Sequence, residues 1–323
     1  MKYITQWLTT ALVAAATTLA AHAADYPDRP VKLVVGFPAG QATDTVARLF
    51  AEKLTQQLGQ PVIVENKPGQ GGSVALAQLA KAPADGHTMM ITAAAAMVTN
   101  PHLYKNVGYD SMQDFVPSAM LVEIPLALVA HPSAPFNTVQ ELIGYAKANP
   151  GKLNYASVGN GTMSHLAMER LKKETGTSLV HIPYQGSPRA IADLLAGNVQ
   201  LSFDTLTVTL PQIEAKKLKP IAVATQKRVP SLPGLPTVIE TGVAGFTASP
   251  WLGILFPKGT SPEIANRMYT ELMKAMQDPS LQKSLAGIGA VTRTANPQEF
   301  TEVIAQDHQR WGRIVIESGA RVD

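Results

Sequence analysis

Short β-rich runs alternate with amphipathic helical segments along almost the whole chain. This alternation is typical of α/β proteins in which helices flank largely parallel sheets. We therefore predict an α/β fold whose sheets are mostly parallel. The predicted strands are Val31–Val35, Val62–Val64, Met89–Thr92, Leu126–Ala130, Leu153–Ser157, Leu179–Ile182, Val199–Phe203, Ile221–Ala224 and Leu252–Phe256.

Helix signals fall between these strands. After the first strand, apolar residues recur at spacings of three and four and stop before Gly59, which predicts one amphipathic helix. Its predicted buried stripe is Val46, Leu49, Phe50, Leu54 and Leu58. Capping boxes indicate helix starts at Thr138 and Thr237, and a following proline indicates others at Ser187, Ser261 and Asn296.

Residues 1–23 have the features of a secretory signal peptide. Lys2 supplies a positive charge, residues 7–20 form an apolar and small-residue stretch, and residues 21–23 read Ala-His-Ala, a cleavage signal. The alternative, a membrane anchor, needs about 20 strongly apolar residues, and this segment is short and rich in threonine and alanine. We predict export to the periplasm with cleavage after Ala23.

Composition excludes several classes of function. The chain has no cysteine, so disulfides, thiolate catalysis, cysteine metal sites and a lipid anchor on cysteine are excluded. With 27 Lys+Arg against 24 Asp+Glu, it lacks the charge excess of a nucleic-acid-binding protein. Its 323 residues exceed the roughly 250 that a single core usually fills, which favours two lobes.

Two segments are candidate crossings between the lobes: residues 123–125, and residues 242–251, which are rich in glycine, serine and proline. The first lobe is then predicted at 24–122 and 250–323, and the second, inserted lobe at 123–249. Ligands of open α/β folds bind at the carboxyl ends of strands, which places the predicted site in the groove between the lobes. Trp251 is expected to pack at the hinge.

Two glycine turns link a strand to a helix, residues 36–44 in one lobe and residues 155–165 in the other. Backbone N–H groups at such a helix start favour an anion, and neither turn has the pattern of a nucleotide-binding loop. Facing each other, they would hold an organic acid without a counter-charge. Either turn alone is equally an ordinary connection, the reading we keep for a third glycine turn at residues 66–73.

Catalytic patterns are absent from the sequence. Neither G-x-S-x-G nor H-E-x-x-H occurs, and the seven histidines are scattered. His165 and Glu169 lie one helical turn apart, a spacing that favours a side-chain contact over a metal site. Asp204 ends a predicted strand, where it faces the groove or orients a loop. We expect no cofactor and no metal.

These residues together resemble a known family, the Bug-type substrate-binding proteins of tripartite tricarboxylate transporters, over essentially the whole chain after residue 23. The resemblance implies a two-lobed periplasmic binding protein of the type II-like flytrap form. Such a protein closes on a small carboxylated molecule and delivers it to membrane permease subunits, and it is expected to be a monomer. The motifs that carry the resemblance are Phe37–Gly40 with Thr43, Asp44, Ala47 and Arg48, Val64–Gly69 with Gly71 and Gly72, Asp85–Thr88, Asp114–Phe115, His165–Ala167, His181–Gly186, and Trp251 with Gly253.

The resemblance also implies which residues bind the ligand. The first turn supplies Phe37, Ala39, Gly40, Gln41, Thr43 and Asp44. The turn of the second lobe supplies Ser157, Gly159, Asn160, Gly161, Thr162 and His165, and Tyr184 and Asp204 are additional groove residues.

Two positions depart from the family pattern. Gln41 stands where the family usually has a second glycine, and the stretch 93–97 is apolar where the family often has serine. Both departures disfavour a small polyhydroxy or amino acid ligand. An aromatic carboxylate and a di- or tricarboxylate both stay open.

Two other functions stay open from the sequence alone. An exported hydrolase of a small acid or ester would use Asp204 or His165. A receptor that presents its ligand-bound form to a membrane sensor kinase would have the same closed surface as a transport protein.

Overall fold

The chain forms two β-sheets, each flanked by helices. In the computed structural model the described residues are 26–318, so the predicted signal peptide lies outside them. Within this range no helix is both long and apolar enough to span a bilayer.

The first sheet has six strands in the order β11-β4-β10-β3-β1-β2. Its strands are β1 (Val31–Val35), β2 (Val62–Asn66), β3 (Thr88–Ala93), β4 (Phe115–Glu123), β10 (Trp251–Pro257) and β11 (Val291–Ala295). The helices of this part are α1 (Ala42–Leu58), α2 (Ser73–Leu79), α3 (Ala94–Val98), α4 (Asn100–Leu103), α9 (Pro262–Met276), α10 (Pro279–Gly287) and α11 (Pro297–Ser318), with a 3-10 turn at Gln70–Gly72.

The second sheet has five strands in the order β7-β6-β8-β5-β9. They are β5 (Leu126–Ala130), β6 (Asn154–Ser157), β7 (Val180–Pro183), β8 (Leu201–Thr205) and β9 (Lys219–Val223). The helices are α5 (Val139–Ala148), α6 (Met163–Thr175), α7 (Ser187–Leu195) and α8 (Leu206–Glu214). The strands of the two sheets divide as the predicted lobes require, and we propose lobe limits that follow this division.

The prediction of a two-lobed α/β fold is confirmed, but both sheets are mixed rather than mostly parallel. Strand β1 pairs in parallel with β2 and β3, whereas β10 runs antiparallel to β3 and β4, and β11 to β4. In the second sheet β6 is parallel to β7 and β8, and β5 is antiparallel to β8 and β9. The reason is geometric: β5 and β10 start at the groove, so they run against the strands that end there.

Every predicted strand is present, with ends that differ by at most two residues, but β4 and β11 were not predicted. Strand β4 contains Pro117 and Ser118, which interrupt its apolar run, and most of β11 is exposed. The capping box at Thr237 forms both of its hydrogen bonds with Glu240, yet only turns follow it. Local capping there is satisfied without a helix.

Helix α1 shows how the apolar pattern produces the core. Val46, Phe50 and Leu54 are fully buried against the first sheet. Burial of each side chain stabilises the fold by about 1.5–3 kcal/mol. The helix ends at Gly59, whose positive φ of 68° closes the last turn. The predicted helix is present, although Leu49 and Leu58 of its stripe are only partly buried, and its first residues reach the groove.

The two crossings lie side by side. The chain passes from β4 to β5 through Ile124 and Pro125, and returns to β10 through Ser249 and Pro250. The Ile124 amide donates to the Pro250 carbonyl at 2.9 Å, which joins the crossings. Trp251 is buried next to them, with its ring edge-on to Phe300. Short paired crossings of this kind form a hinge.

Candidate ligand-binding groove

A cavity of about 50 Å³ lies between the lobes at the groove ends of the strands. Both lobes and both crossings line it, and none of its lining residues is lysine or arginine. The lining residues are Phe37, Gln41, Ala42, Thr43, Ala93, Ala95, Ile124, Leu126, Val158, Thr162, Met163, Ser164, Asp204, Thr205, Pro250 and Leu252.

Three helices of nine or more residues begin at this cavity without a capping side chain, and so does the short helix α3 at Ala93. Gln41, Thr162 and Thr205 are the N-cap residues of α1, α6 and α8, and none of their side chains accepts a hydrogen bond from its helix. Elsewhere Thr138 and Asp278 cap α5 and α10 through their side chains. Since the first N–H groups of a helix need an acceptor, the cavity gathers donors from both lobes that suit an anion.

Asp44 organises the first turn from behind rather than lining the cavity. Its buried carboxylate accepts from the Gly40 amide at 2.9 Å, from Asn66 Nδ2 at 2.9 Å and from Arg48 Nε at 3.0 Å. Burial disfavours its charge, but these hydrogen bonds outweigh burial and lower the pKa of Asp44. Asn66 also donates to the Phe37 carbonyl, so the turn is held at two points.

The turn of the second lobe is braced in a similar way. Ser157 Oγ lies 2.6 Å from His181 Nε2, and Thr162 Oγ1 donates to the Gly159 carbonyl at 2.7 Å. The Gly161 amide donates to Nδ1 of His165 at 3.2 Å. Ser157 and His165 therefore support the turn, and its main chain forms the groove surface.

A stack of three rings lies behind this turn. His181 is sandwiched between His165 and Tyr155, with ring centroids 4.1 Å and 4.8 Å away. The Tyr155 hydroxyl donates to the Glu169 carboxylate. Burial lowers the pKa of both histidines, and the neighbouring His165 adds to the effect, so the pKa of His181 falls to about 4. His165 is therefore buried in this stack rather than in a surface contact, and Glu169 accepts from Tyr155 and from Lys172.

Asp204, at the end of β8, lies in the cavity wall and is 1% exposed. Its Oδ1 accepts from Ser187 Oγ at 2.8 Å and from the Thr205 amide at 2.7 Å. Its Oδ2 has no partner among the described residues, and neither does Oε1 of Gln41 in the opposite wall. Burial raises the pKa of Asp204 to about 7, although its hydrogen bonds act in the other direction.

A larger cleft of about 760 Å³ lies beside the cavity. Phe37 and Val158 line both spaces. Tyr184 lines the cleft, while its hydroxyl donates to Asp193 at 2.6 Å. Arg189 also lines the cleft, is exposed, and has no ion-pair partner within residues 26–318.

The lobes touch across the groove. The Tyr104 hydroxyl donates to the Asn160 carbonyl at 3.3 Å, and Thr99 Oγ1 lies 3.1 Å from the Gly161 carbonyl. Tyr104 and Thr99 belong to the first lobe, and Asn160 and Gly161 to the second. The structure therefore has its lobes closed on one another.

The structure places the predicted site residues in three groups. Phe37, Gln41, Thr43, Thr162 and Asp204 line the cavity. Gly159, Asn160 and Tyr184 line the outer cleft, which Phe37 also reaches. The remaining residues lie in or behind the two turns and line neither space: Ala39, Gly40, Asp44, Ser157, Gly161 and His165.

Sequence reasoning missed much of the cavity wall. Ala42, Met163, Ser164 and Thr205 lie next to predicted site residues, so the first positions of each helix would have found them. Ile124, Leu126, Pro250 and Leu252 lie at the crossings, where the predicted hinge was the available signal. Val158 completes the missed residues, whereas Ala93 and Ala95 belong to the apolar stretch 93–97 that sequence reasoning had placed beside the ligand.

No group of three or more histidine, aspartate or glutamate side chains in the described part of the chain is arranged to hold a metal ion. Asp204 and His165, the residues considered for a hydrolase, have different roles in the structure. Asp204 lines the cavity, whereas His165 accepts from the Gly161 amide and supports the turn.

Comparisons with known proteins agree with this architecture. Residues 46–320 match the family described as tripartite tricarboxylate transporter family receptor. An R. palustris protein solved with adipate is 35% identical, with a TM-score of 0.88 over 91% of this chain and 98% of that one. The periplasmic binding protein BugD is 38% identical, with a TM-score of 0.87 over 92% and 99%.

MatC from Rhodopseudomonas palustris, solved with bound malate, is 29% identical, with a TM-score of 0.84 over 90% of this chain and all of its own. The family match covers most of the chain, including every strand except β1, and the resemblance inferred from the motifs is confirmed. The chain belongs to the tripartite tricarboxylate transporter family receptors, which are substrate-binding receptors and not enzymes.

Proposed function

We propose that the protein is a periplasmic solute receptor that captures a small carboxylated molecule between its lobes. The observation that carries this proposal is the meeting of three uncapped helix starts at one cavity without lysine or arginine. Aligned N–H groups stabilise a carboxylate by charge-assisted hydrogen bonds. The grip is then made by the main chain and by neutral side chains.

The sequence and the family together support the proposed periplasmic location and the proposed transporter partner. Residues 1–23 have the pattern of a signal peptide, and BugD is described as a periplasmic binding protein. The family description names a tripartite tricarboxylate transporter, whose membrane permease subunits are the proposed partners. A sensor kinase is the competing partner, since it would contact the same closed surface.

The dimensions of the groove support a ligand with an acid at each end. The cavity of about 50 Å³ suits one carboxylate group, so the rest of a ligand must extend toward the outer cleft. Exposed Arg189 lines that cleft, where a second carboxylate would find a cation. The relatives solved with adipate and with malate each hold a dicarboxylate. A dicarboxylate is therefore favoured, with an aromatic carboxylate as the alternative.

Capture depends on closure. Helix α1 offers its N–H groups from the first lobe, while α6 and α8 offer theirs from the second. A ligand that bridges the lobes reaches all three sets only in the closed form. Because this contact differs between the two forms, binding shifts the population toward closure.

A thermal-shift screen with adipate, malate, citrate, benzoate and glutamate tests the proposal. A ligand at a hundredfold excess over its Kd should add about 2.7 kcal/mol and raise the Tm by a few degrees. Isothermal titration then measures the affinity. If no acid stabilises the protein, the proposed function is wrong.

Variants of α1 locate the site. Gln41→Glu places a negative charge at the helix start inside the cavity, so carboxylate binding should weaken at least about tenfold while the fold keeps its stability. Gln56→Glu makes the same change at the exposed far end of α1 and should bind as the wild type does. Equal binding by both variants would place the ligand elsewhere.

A further inference from the structure

Asp204 has one satisfied and one unsatisfied carboxyl oxygen. Ser187 and Thr205 both donate to Oδ1, at 2.8 Å and 2.7 Å. Oδ2 is buried without a partner, in a residue that forms part of the cavity wall. A buried polar atom without a hydrogen-bond partner costs about 1–3 kcal/mol of stability. A ligand in the cavity that hydrogen-bonds to Oδ2 would recover this free energy.

Asp204 is the one ionisable residue in the cavity wall that the structure describes. Strand β5, which runs alongside it, has no ionisable side chain. The neighbouring elements contribute Tyr155 from β6, His165 and Glu169 from α6, Arg189 and Asp193 from α7, Glu214 from α8, and Asp44 with Arg48 from α1. None of these groups contributes to the raised pKa of Asp204, which burial alone raises.

A bound carboxylate changes this balance. Two like charges in one small buried space destabilise each other, so one of the two carboxyl groups takes a proton. The ligand carboxylate faces the uncapped N–H groups of three helices, which stabilise its charge. Asp204 already has a pKa near neutrality, so it is the group that protonates.

We propose that Asp204 enters the complex as a carboxylic acid whose Oδ2–H donates to a carboxylate oxygen of the ligand, so that capture takes up one proton from solvent. This inference rests on the proposed function. Protonation gives Oδ2 a hydrogen-bond partner and removes the repulsion between the two carboxylates. No covalent bond other than the new O–H forms.

An ionised Asp204 would instead suit a ligand ammonium or hydroxyl group, which donates to Oδ2. The two arrangements predict opposite pH dependences of the ligand affinity. Proton uptake makes affinity fall as the pH rises above about 7, whereas an ionised Asp204 that accepts from the ligand makes affinity rise through the same range. A pH series therefore separates them.

Isothermal titration of the wild-type protein with adipate, from pH 7.0 to 8.5 in phosphate and in Tris, measures the uptake. The buffers differ in ionisation enthalpy, so the difference in observed heat counts protons. We expect about half a proton at pH 7 and nearly one at pH 8.5, with affinity falling toward tenfold per pH unit. His165 and His181 are neutral over this range and add nothing.

Asp204→Asn supplies a permanent amide donor at the same place. We expect it to bind adipate at pH 8.5 at least as tightly as the wild type, without proton uptake. Glu214→Gln, an exposed acid-to-amide change at the other end of α8, should keep the wild-type uptake.

Binding without proton uptake, or affinity that rises with pH, would overturn the inference and leave the proposed function intact. Absence of binding by adipate, malate, citrate, benzoate and glutamate at every pH would overturn both. Because the proton count is made on the wild-type protein, the test does not depend on the folding of any variant.

Discussion

Gly161 of the second lobe lies directly against Asn100 of the first lobe, so close that a β-carbon on the glycine would stand 2.7 Å from Asn100 Oδ1. Asn100 cannot move aside easily, because its Nδ2 donates to the Gln70 carbonyl at 2.9 Å and to Ser73 Oγ at 2.8 Å. The contact between Gly161 and Asn100 therefore limits how closely the lobes can approach each other.

Gly161→Ala should hinder closure. The added methyl group must push the lobes apart, so carboxylate affinity should fall at least about tenfold, chiefly through faster release. Titration calorimetry and stopped-flow release measure both quantities.

Gly151→Ala is the matched control for that variant. Gly151 has a similar positive φ of 71°, but its β-carbon would meet no atom within 4 Å. Both variants should lose about 1 kcal/mol of stability from backbone strain, and only Gly161→Ala should lose affinity. Equal affinity in the two would show that this contact does not limit closure.

Tyr104→Phe removes one hydrogen bond that joins the closed lobes. The Tyr104 hydroxyl donates to the Asn160 carbonyl, and a bond of this kind contributes about 0.5–1.5 kcal/mol. Affinity should fall about 2- to 10-fold. Tyr145→Phe makes the same change on α5, where the ring packs against Phe136, and should leave affinity unchanged. An unaltered Tyr104→Phe affinity would contradict a role for this bond in closure.

Asp44→Asn should destabilise the first lobe. The buried carboxylate accepts from Gly40, Asn66 and Arg48, and hydrogen bonds to a charged group contribute about 1.5–3 kcal/mol. We expect the free energy of unfolding in urea to fall by about 2 kcal/mol. Glu52→Gln on the exposed face of the same helix should stay within about 0.5 kcal/mol of the wild type. A change no larger than that of Glu52→Gln would count against the bracing role of Asp44.

The stacked histidines predict a loss of stability in acid. The pKa of His181 is lowered to about 4, against about 6.5 in an unfolded chain, and the pKa of His165 is lowered as well. As the pH falls below 6.5, these two histidines bind protons in the unfolded chain but stay neutral in the folded protein. The contribution of the two histidines to stability should therefore fall between pH 6.5 and about 4 and then level off. Asp204, whose pKa is raised to about 7, contributes in the opposite direction over the same range.

Urea midpoints measured across that range test the acid prediction. His181→Gln should flatten the profile, and His131→Gln, at a half-buried position outside this stack, should not. Because Nδ1 of His165 accepts from the Gly161 amide, its protonation also releases the turn that faces the ligand. A profile that His181→Gln leaves unchanged would assign the acid loss to other groups.

The amino-acid sequence alone determined the parts of the fold that depend on local pattern. Apolar periodicity predicted every strand except β4 and β11, and the stripe from Val46 to Leu58 predicted α1. Both turns that border the cavity were identified from their glycines and from their place between strand and helix. These features need only neighbours along the chain, which is why they are legible in the sequence.

Tertiary structure decided what each side chain does. Ser157 and Tyr184 were predicted to bind ligand, and their hydroxyl groups pair with His181 and Asp193, partners that pattern alone did not identify. The direction of β10 and the absence of a hydrogen-bond partner for Oδ2 of Asp204 among the described residues are likewise properties of the folded structure. These features depend on residues that folding brings together from different strands and helices, and local propensity carries no information on such pairs.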